Sequence, residues 1–95
     1  MIRVVYRWQV NAEAATEFER RWHEGTVEIR RLRPGALGSL LLRSRGDPEQ
    51  YVGVARWTTE DDLAAFWENA GTRNVGDAEL QSVEVFDELD DLTIG

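Results

Sequence analysis

The order of strand-like and helix-like segments is the feature that most restricts the fold of this chain. Residues 1–10 alternate apolar and polar side chains with a period of two, which predicts a strand with one strongly apolar face. Apolar residues then recur at helical spacing from Asn11, a candidate N-cap, to Arg33, and Pro34-Gly35 ends this helix. The apolar stripe of the helix consists of Ala15, Phe18, Trp22, Ile29 and Leu32.

A strand pair, a second helix and a last strand follow. Residues 36–44 and 51–58 read as strands, and the Gly46-Asp47-Pro48 turn between them predicts a hairpin. Thr59 followed by Asp62 fits a capping box at the start of a short helix. The apolar face of that helix consists of Leu63, Phe66, Trp67 and Ala70. Residues 70–79 are predicted to be a loop, and the last strand is centred on Val83, Val85 and Phe86.

The resulting order, βαββαβ, favours one α+β arrangement. Right-handed crossovers and short hairpins give a ferredoxin-like plait, in which a four-stranded antiparallel sheet carries both helices on one face. The chain has 95 residues and contains no linker, internal repeat or low-complexity segment. We therefore expect residues 1–95 to form a single domain.

Composition excludes several classes of function. The chain has no cysteine, so it can hold neither a disulfide nor a thiolate-ligated metal, and with one histidine we expect no metal site. A formal net charge of −7 argues against nucleic acid as a partner. No apolar run approaches the roughly 20 residues of a membrane span, and no signal-peptide pattern is present. The expected location is therefore the cytoplasm, away from membranes.

Apolar residues lie in both alternate sets of several strands, although helices can cover only one face of the sheet. In the second strand Leu40 and Leu42 alternate with Leu37 and Leu41, and in the third Val52 and Val54 alternate with Tyr51 and Trp57. Each large apolar side chain contributes about 1.5–3 kcal/mol when it is fully buried. We therefore expect a homodimer whose sheets pack face to face, with Arg7 and Arg56 paired to acidic residues at the interface.

Three segments resemble the antibiotic biosynthesis monooxygenase (ABM) superfamily of small, dimeric α/β-barrel proteins. They are MIRVVYRWQV at the start, RPGALGSLLLRS after the long helix, and YVGVARWTTEDDLAAFW at residues 51–67. In the polyketide-oxidising branch, the resemblance implies chemistry without metal or flavin, in which a phenolic substrate loses a proton and passes an electron to dioxygen. It implies a closed aromatic pocket containing Trp57 and an asparagine on the same strand, whereas YVGVAR contains no asparagine.

The haem-degrading branch of the superfamily resembles this chain less. Its pattern implies an asparagine on the first strand, the tryptophan on the third, and a histidine after the last helix as the iron ligand. Trp57 matches, but Tyr6 stands at the expected place of the asparagine, and no histidine follows Trp67. Haem degradation is therefore not expected, and the predicted cofactor is none.

We predict Trp57 and His23 as catalytic residues, with Trp57 in the pocket and His23 as the general base. The alternatives are that Trp57 belongs to an aromatic core and that His23 is an exposed helical residue. The predicted substrate-binding residues are Tyr6, Trp8, Trp22 and Phe66, whereas Trp67 has the spacing of a core residue. Trp57→Phe and His23→Ala should then each lower activity without unfolding the protein.

Two functions follow from these predictions. The first is that of an oxidoreductase, a cofactor-independent monooxygenase that oxidises a small aromatic or polyketide-type substrate with dioxygen. The alternative is a non-catalytic dimeric protein on the same fold, which binds a small aromatic ligand or acts as an accessory factor. Oxygen uptake in the presence of hydroxylated anthrones distinguishes the two.

Overall fold

A computed structural model describes residues 1–70 and 78–93 of the chain. Four strands, β1 (Ile2–Gln9), β2 (Ala36–Arg43), β3 (Gln50–Trp57) and β4 (Glu79–Asp87), form one sheet in the order β2-β3-β1-β4, with all neighbours antiparallel. Two helices, α1 (Ala15–Leu32) and α2 (Glu60–Ala70), complete the predicted βαββαβ order. The ferredoxin-like α+β fold is therefore confirmed.

Both helices pack on one face of the sheet, the inner face. Along β1 this face presents Ile2, Val4, Tyr6 and Trp8, whose register partners on β3 are Trp57, Ala55, Gly53 and Tyr51. Leu63 of α2 is buried beside Val4 and Trp57, and Phe18 of α1 is buried beside Trp8 and Tyr51. The period-two alternation of β1 and β3 thus places their aromatic side chains between the sheet and the helices.

The long helix begins differently from the prediction. A short 3₁₀ helix (Ala12–Ala14) precedes α1, and the Asn11 side chain makes no capping hydrogen bond. Glu49, from the hairpin side of the sheet, instead accepts a hydrogen bond from the Ala12 backbone N–H at 3.1 Å. Leu32, predicted on the apolar stripe, is 56% exposed, so the stripe ends at Ile29. The start of the helical segment therefore depends on a contact distant in sequence.

The turn chemistry of the hairpin and the cap of α2 agree with the sequence. Ser44 Oγ accepts hydrogen bonds from the backbone N–H groups of Gly46 and Asp47. Thr59 Oγ1 accepts from the backbone N–H of Asp62 at 3.1 Å, as an N-cap residue does. Gly35 packs against this cap so closely that a Cβ there would lie 2.7 Å from Asp62 Oδ2. The cap therefore also joins α2 to the end of α1.

The other sheet surface, the outer face, combines apolar residues with a cluster of ion pairs. Leu40 and Leu42 on β2 and Phe86 on β4 are exposed. At one end of this face, the Glu88 carboxylate accepts hydrogen bonds from Arg3 at 2.7 Å and from Arg56 at 2.9 and 3.0 Å.

Arg7 and Arg56, predicted to pair with acidic residues at the interface, have acidic partners on the outer face within one chain. Arg56 is bound by Glu88 of its own chain, and Arg7 lies 4.0 Å from Glu84 on the adjacent strand. The reason is that β4 and the residues after it bring carboxylates to the outer face beside β1.

The predicted loop at residues 70–79 falls mostly outside the described residues. No helix among the described residues is both long enough and apolar enough to cross a membrane.

Candidate active site

A cavity of ≈ 390 Å³ lies between the inner face of the sheet and the two helices. Aromatic side chains from four elements border it: Tyr6 and Trp8 of β1, Trp22 of α1, Trp57 of β3 and Phe66 of α2. A concave, mainly apolar space of this size is typical of a small-molecule site. All four predicted binding residues and one of the two predicted catalytic residues therefore meet at one place.

Trp57 forms one wall of the cavity at the end of β3. It pairs with Ile2 across the strands and is almost fully buried. Its ring centroid lies 5.3 Å from that of Phe66, with the rings tilted by 30°. Leu63 completes this cluster from the same side of α2. The surrounding helix and strand contacts therefore fix the orientation of the indole.

Tyr6 and Trp67 form a second pair at the cavity. Tyr6 borders the cavity, and its phenol oxygen accepts a hydrogen bond from Trp67 Nε1 at 3.3 Å. Trp67 itself is half-buried against the cluster around Trp57 and is not among the residues that border the cavity. Trp67 thus has a core position, as its helical spacing predicts, and it also holds Tyr6 in place.

Trp8 borders the cavity and packs against Gly53 of the neighbouring strand. Its ring stacks on Tyr6, with centroids 5.6 Å apart and an interplanar angle of 14°, and it meets Phe18 edge to face. A Cβ at Gly53 would lie 2.8 Å from Trp8 Cζ3 and 2.9 Å from Cη2, so no side chain fits at position 53 while Trp8 keeps this position. The indole of Trp8 therefore occupies the space that a polar side chain on β3 would need.

The indole nitrogen of Trp8 is buried and has no hydrogen-bond partner. A buried N–H without an acceptor costs free energy that its surroundings must offset. This donor is the one orphaned polar atom found among the buried side chains of the described residues. The unpaired N–H belongs to the same ring that packs closely against Gly53.

His23 does not join the other predicted site residues. Its neighbour Trp22 is half-buried and borders the cavity, whereas His23 is exposed on α1 and is absent from the cavity border. Adjacent helical residues project about 100° apart, so only one of the two can face the sheet. The prediction that His23 is the general base therefore has no support from the geometry.

Arg21, Arg30 and Glu28 of α1 border the cavity, as does Arg56 of β3, whose guanidinium lies on the outer face of the sheet. Arg21 donates to Glu17 at 2.8 Å, and Glu88 binds Arg56. Arg31 donates to Glu28 at 2.7 Å, and this hydrogen bond lowers the pKa of the Glu28 carboxyl below its ordinary value. Glu28 is therefore ionised near neutral pH and is a weak base.

The described residues offer no metal centre. No group of three or more histidine, cysteine, aspartate or glutamate side chains among them could hold a metal ion. The one histidine of the sequence is His23, which lies outside the cavity border.

Arg30 and Gly53 belong to the site but were not predicted from the sequence. Gly53 interrupts the inward set Tyr51, Gly53, Ala55, Trp57 with a residue that has no side chain. Small residues between the rings of Tyr51 and Trp57 indicate that a ring from a neighbouring strand fills the space. This indication is present in the sequence. Arg30 carried no comparable signal, since it is one of several arginines on α1.

Comparison with known proteins identifies one family and several similar structures. The model of the family described as antibiotic biosynthesis monooxygenase matches residues 1–75. A search of the curated proteins finds no match.

The haem degrader MhuD of Mycobacterium tuberculosis, solved with two haems bound in its active site, is 26% identical, with a TM-score of 0.78 over 97% of this chain and 99% of that chain. SnoaB of Streptomyces nogalater, a cofactor-independent oxygenase, is 24% identical, with a TM-score of 0.76 over 97% of this chain and 96% of that one. A protein of Deinococcus radiodurans, named as a candidate antibiotic biosynthesis monooxygenase, is 14% identical. Its TM-score is 0.79 over 100% of this chain and 99% of that chain. The last two likenesses concern the fold alone.

Proposed function

The chain belongs to the antibiotic biosynthesis monooxygenase family, and from that premise we propose that it is a cofactor-independent oxygenase of small aromatic or polyketide-type molecules. The observation that carries this proposal is the convergence of Tyr6, Trp8, Trp22, Trp57 and Phe66 on one cavity. SnoaB, which shares the fold, is a cofactor-independent oxygenase. The proposal extends that activity type, and not its substrate, to this chain.

Aromatic walls suit such a substrate for two reasons. Offset and edge-to-face ring contacts stabilise a planar ring system by about 0.5–1.5 kcal/mol for each pair beyond the burial of area. Exclusion of water also protects reactive oxygen intermediates from side reactions. In the proposed reaction, the ionised phenolic substrate passes an electron to dioxygen, and the substrate radical and superoxide combine to form a carbon-bound peroxide. Protonation of the peroxide, cleavage of its O–O bond and loss of water then leave a carbonyl oxygen on that carbon.

Trp57 is the proposed catalytic side chain, because it is the buried wall of the cavity to which a reacting ring would be held. Tyr6, Trp8, Trp22 and Phe66 are the proposed binding residues. No described residue at the cavity is suited to act as a strong base, since Glu28 is paired with Arg31. We therefore propose that the substrate enters in its ionised form or loses its proton to solvent at the cavity mouth.

Haem chemistry, which the likeness to MhuD raises, does not fit the residues of this site. A histidine-ligated haem needs an imidazole on the iron, and the one histidine, His23, is exposed and outside the cavity border.

A second candidate function is that of a binding or accessory protein without catalysis. The close packing of Trp8 against Gly53 favours it, because β3 presents no polar side chain at that point of the cavity. Such a protein would bind an aromatic ligand among the same rings.

Oxygen uptake distinguishes the two candidates. The purified protein is incubated with a panel of hydroxylated anthrones, aerobically and anaerobically, while oxygen and substrate are followed. Substrate-dependent uptake that vanishes without oxygen supports the oxygenase. Tight binding of an anthrone with no uptake for any compound overturns it in favour of the binding protein.

We also propose that the protein is a homodimer whose partner is a second copy of the chain. The support is the outer face, where Leu40 and Leu42 are 59% and 50% exposed and Phe86 is 47% exposed. Val52 and Val54 lie between these residues on β3 and are half-buried. A second sheet packed on this face would remove that apolar surface from water. The cytoplasmic location stays the prediction made from the sequence.

A further inference from the structure

Arg30 lies at the edge of the cavity, against the backbone of β2. Its Nη1 and Cζ atoms lie 3.8 and 4.0 Å from the position that a Cβ on Gly38 would take. Gly38 has a φ of +116°, and the register of β2 shifts between Ala36 and Gly38. This backbone conformation favours glycine, so β2 leaves the space beside the Arg30 guanidinium free of a side chain.

The ion pairing of Arg30 differs from that of its neighbours. On α1, Arg20, Arg21 and Arg31 are each bound by a glutamate of the same helix. Of the other arginines at the cavity, Arg21 is bound by Glu17 and Arg56 by Glu88. Within residues 1–70 and 78–93, no carboxylate lies within ion-pair distance of Arg30. Its guanidinium thus stands at an aromatic cavity with its donors available.

We propose that Arg30 binds a carboxylate on the ligand, so that the site selects an aromatic acid over the corresponding neutral compound. A guanidinium presents two parallel N–H donors that match the two oxygens of a carboxylate. The ring system of the same ligand would lie against Trp22 and Trp57, which border the same cavity. In a chain with a formal charge of −7, an unpaired cation at the cavity offsets the general repulsion of anions.

Glu28 is the acidic group that could oppose this binding, since it also borders the cavity. Its carboxylate is bound by Arg31, which offsets its negative charge locally. The unpaired cation on the cavity border is therefore Arg30, and Arg33 lies near by, with its Cζ 6.0 Å from the centroid of the Phe66 ring. Because Arg30 is exposed, solvent screening limits the effect to a moderate preference and makes it depend on ionic strength.

The test compares two probes that share one ring system, 2-naphthoate and its neutral amide, 2-naphthamide. Equilibrium dialysis at low salt measures the affinity of each for the wild-type protein, for Arg30→Gln and for Arg45→Gln as the matched control, since Arg45 is exposed and outside the cavity border. We expect the wild type and Arg45→Gln to prefer the acid by about tenfold. In Arg30→Gln the acid should weaken about tenfold while the affinity for the amide is unchanged, and 0.5 M salt should reduce the wild-type preference.

An acid-to-amide ratio that is the same in Arg30→Gln and the wild type overturns the inference, as does failure of the wild type to bind either probe. Equal affinity of the wild-type protein for the two probes also overturns the inference. The inference rests on the proposed function only in assigning the ligand to the same cavity. Absence of oxygen uptake would remove the oxygenase and leave the acid preference intact, whereas loss of the preference would leave the oxygenase standing.

Discussion

Gly53 and Trp8 compete for one space across two strands, and the packing of the cavity depends on which of them fills it. The Trp8 ring takes the volume that a Cβ on Gly53 would need. Interiors are packed closely enough that a single added carbon atom is felt. The missing side chain at position 53 is therefore as much a determinant of the site as the rings that border it.

We predict that Gly53→Ala destabilises the protein by about 1–3 kcal/mol, because the new Cβ forces Trp8 from its position. Urea denaturation measures the free energy of unfolding. Gly25→Ala on α1 is the control, since a Cβ there meets nothing within 4 Å and should stabilise the helix by about 0.5–1 kcal/mol. Trp8→Phe in the Gly53→Ala background should recover part of the loss. Equal effects of the two glycine substitutions would contradict the steric account.

Substitutions of Trp57 and His23 should affect the rate of oxygen uptake differently. Trp57→Phe should lower the rate of oxygen uptake by about tenfold or more while the protein stays folded, because the phenyl ring is smaller and lacks the indole N–H. His23→Ala should leave the rate unchanged, since His23 is exposed and outside the cavity border. Initial rates with a hydroxylated anthrone, together with thermal unfolding, test both. A large loss in His23→Ala would restore the sequence-based assignment of a general base.

At the scale of helices and strands, much of the architecture was predictable from the sequence. The period-two pattern of β1 and β3 placed Tyr6, Trp8 and Trp57 on one face, and the spacing of α2 placed Phe66 opposite them. Those patterns are strong because burial of one face requires them. The sequence-predicted site residues meet for the same reason, with the exception of His23.

The remaining details depend on contacts between distant segments. The register shift between Ala36 and Gly38 lies beside the Arg30 guanidinium, and Glu49 rather than Asn11 accepts the hydrogen bond of the first N–H of the 3₁₀ helix. Neither feature has a periodic signal in the sequence. Arg30 could not be distinguished from the other arginines of α1, because only the folded chain shows which of them is paired.

Glu88 connects β1, β3 and the segment after β4 through its two arginines, and it should make stability depend on acid pH. The hydrogen bonds from Arg56, and then the one from Arg3, lower the pKa of Glu88 below its ordinary 4.5. A carboxyl with a lowered pKa in the folded state stabilises the protein above its unfolded pKa. That contribution is lost as the pH falls through the folded pKa.

We therefore expect Glu88→Gln to be less stable than the wild type near pH 7 and the difference to shrink as the pH falls below about 4.5. Urea midpoints measured across this range provide the test. Asp90→Asn, a nearby exposed substitution, should show little difference at any pH. A difference for Glu88→Gln that stays constant down to pH 3 would contradict the linkage.

For the whole molecule, the outer face carries the expectation of a dimer. Leu42→Glu should shift the protein from dimer to monomer at micromolar concentration, because it puts a charge on the apolar surface of β2. Val27→Glu is the matched control, since Val27 on α1 is 54% exposed and Leu42 is 50% exposed. Light scattering reports the mass of each. A wild-type protein with the mass of a monomer, 10.9 kDa, would exclude the dimer at the outset.

The packing of Trp8 on Gly53 also restricts how this pocket can evolve. The genetic code separates glycine from asparagine by more than one base change, and the intermediates are serine or aspartate, each of which carries a Cβ. Any of them would meet Trp8 Cζ3 at 2.8 Å. A lineage that acquired an amide at position 53 would first need a smaller residue at position 8. The order of mutations that lead from glycine to asparagine at position 53 is thus constrained by the ring of Trp8.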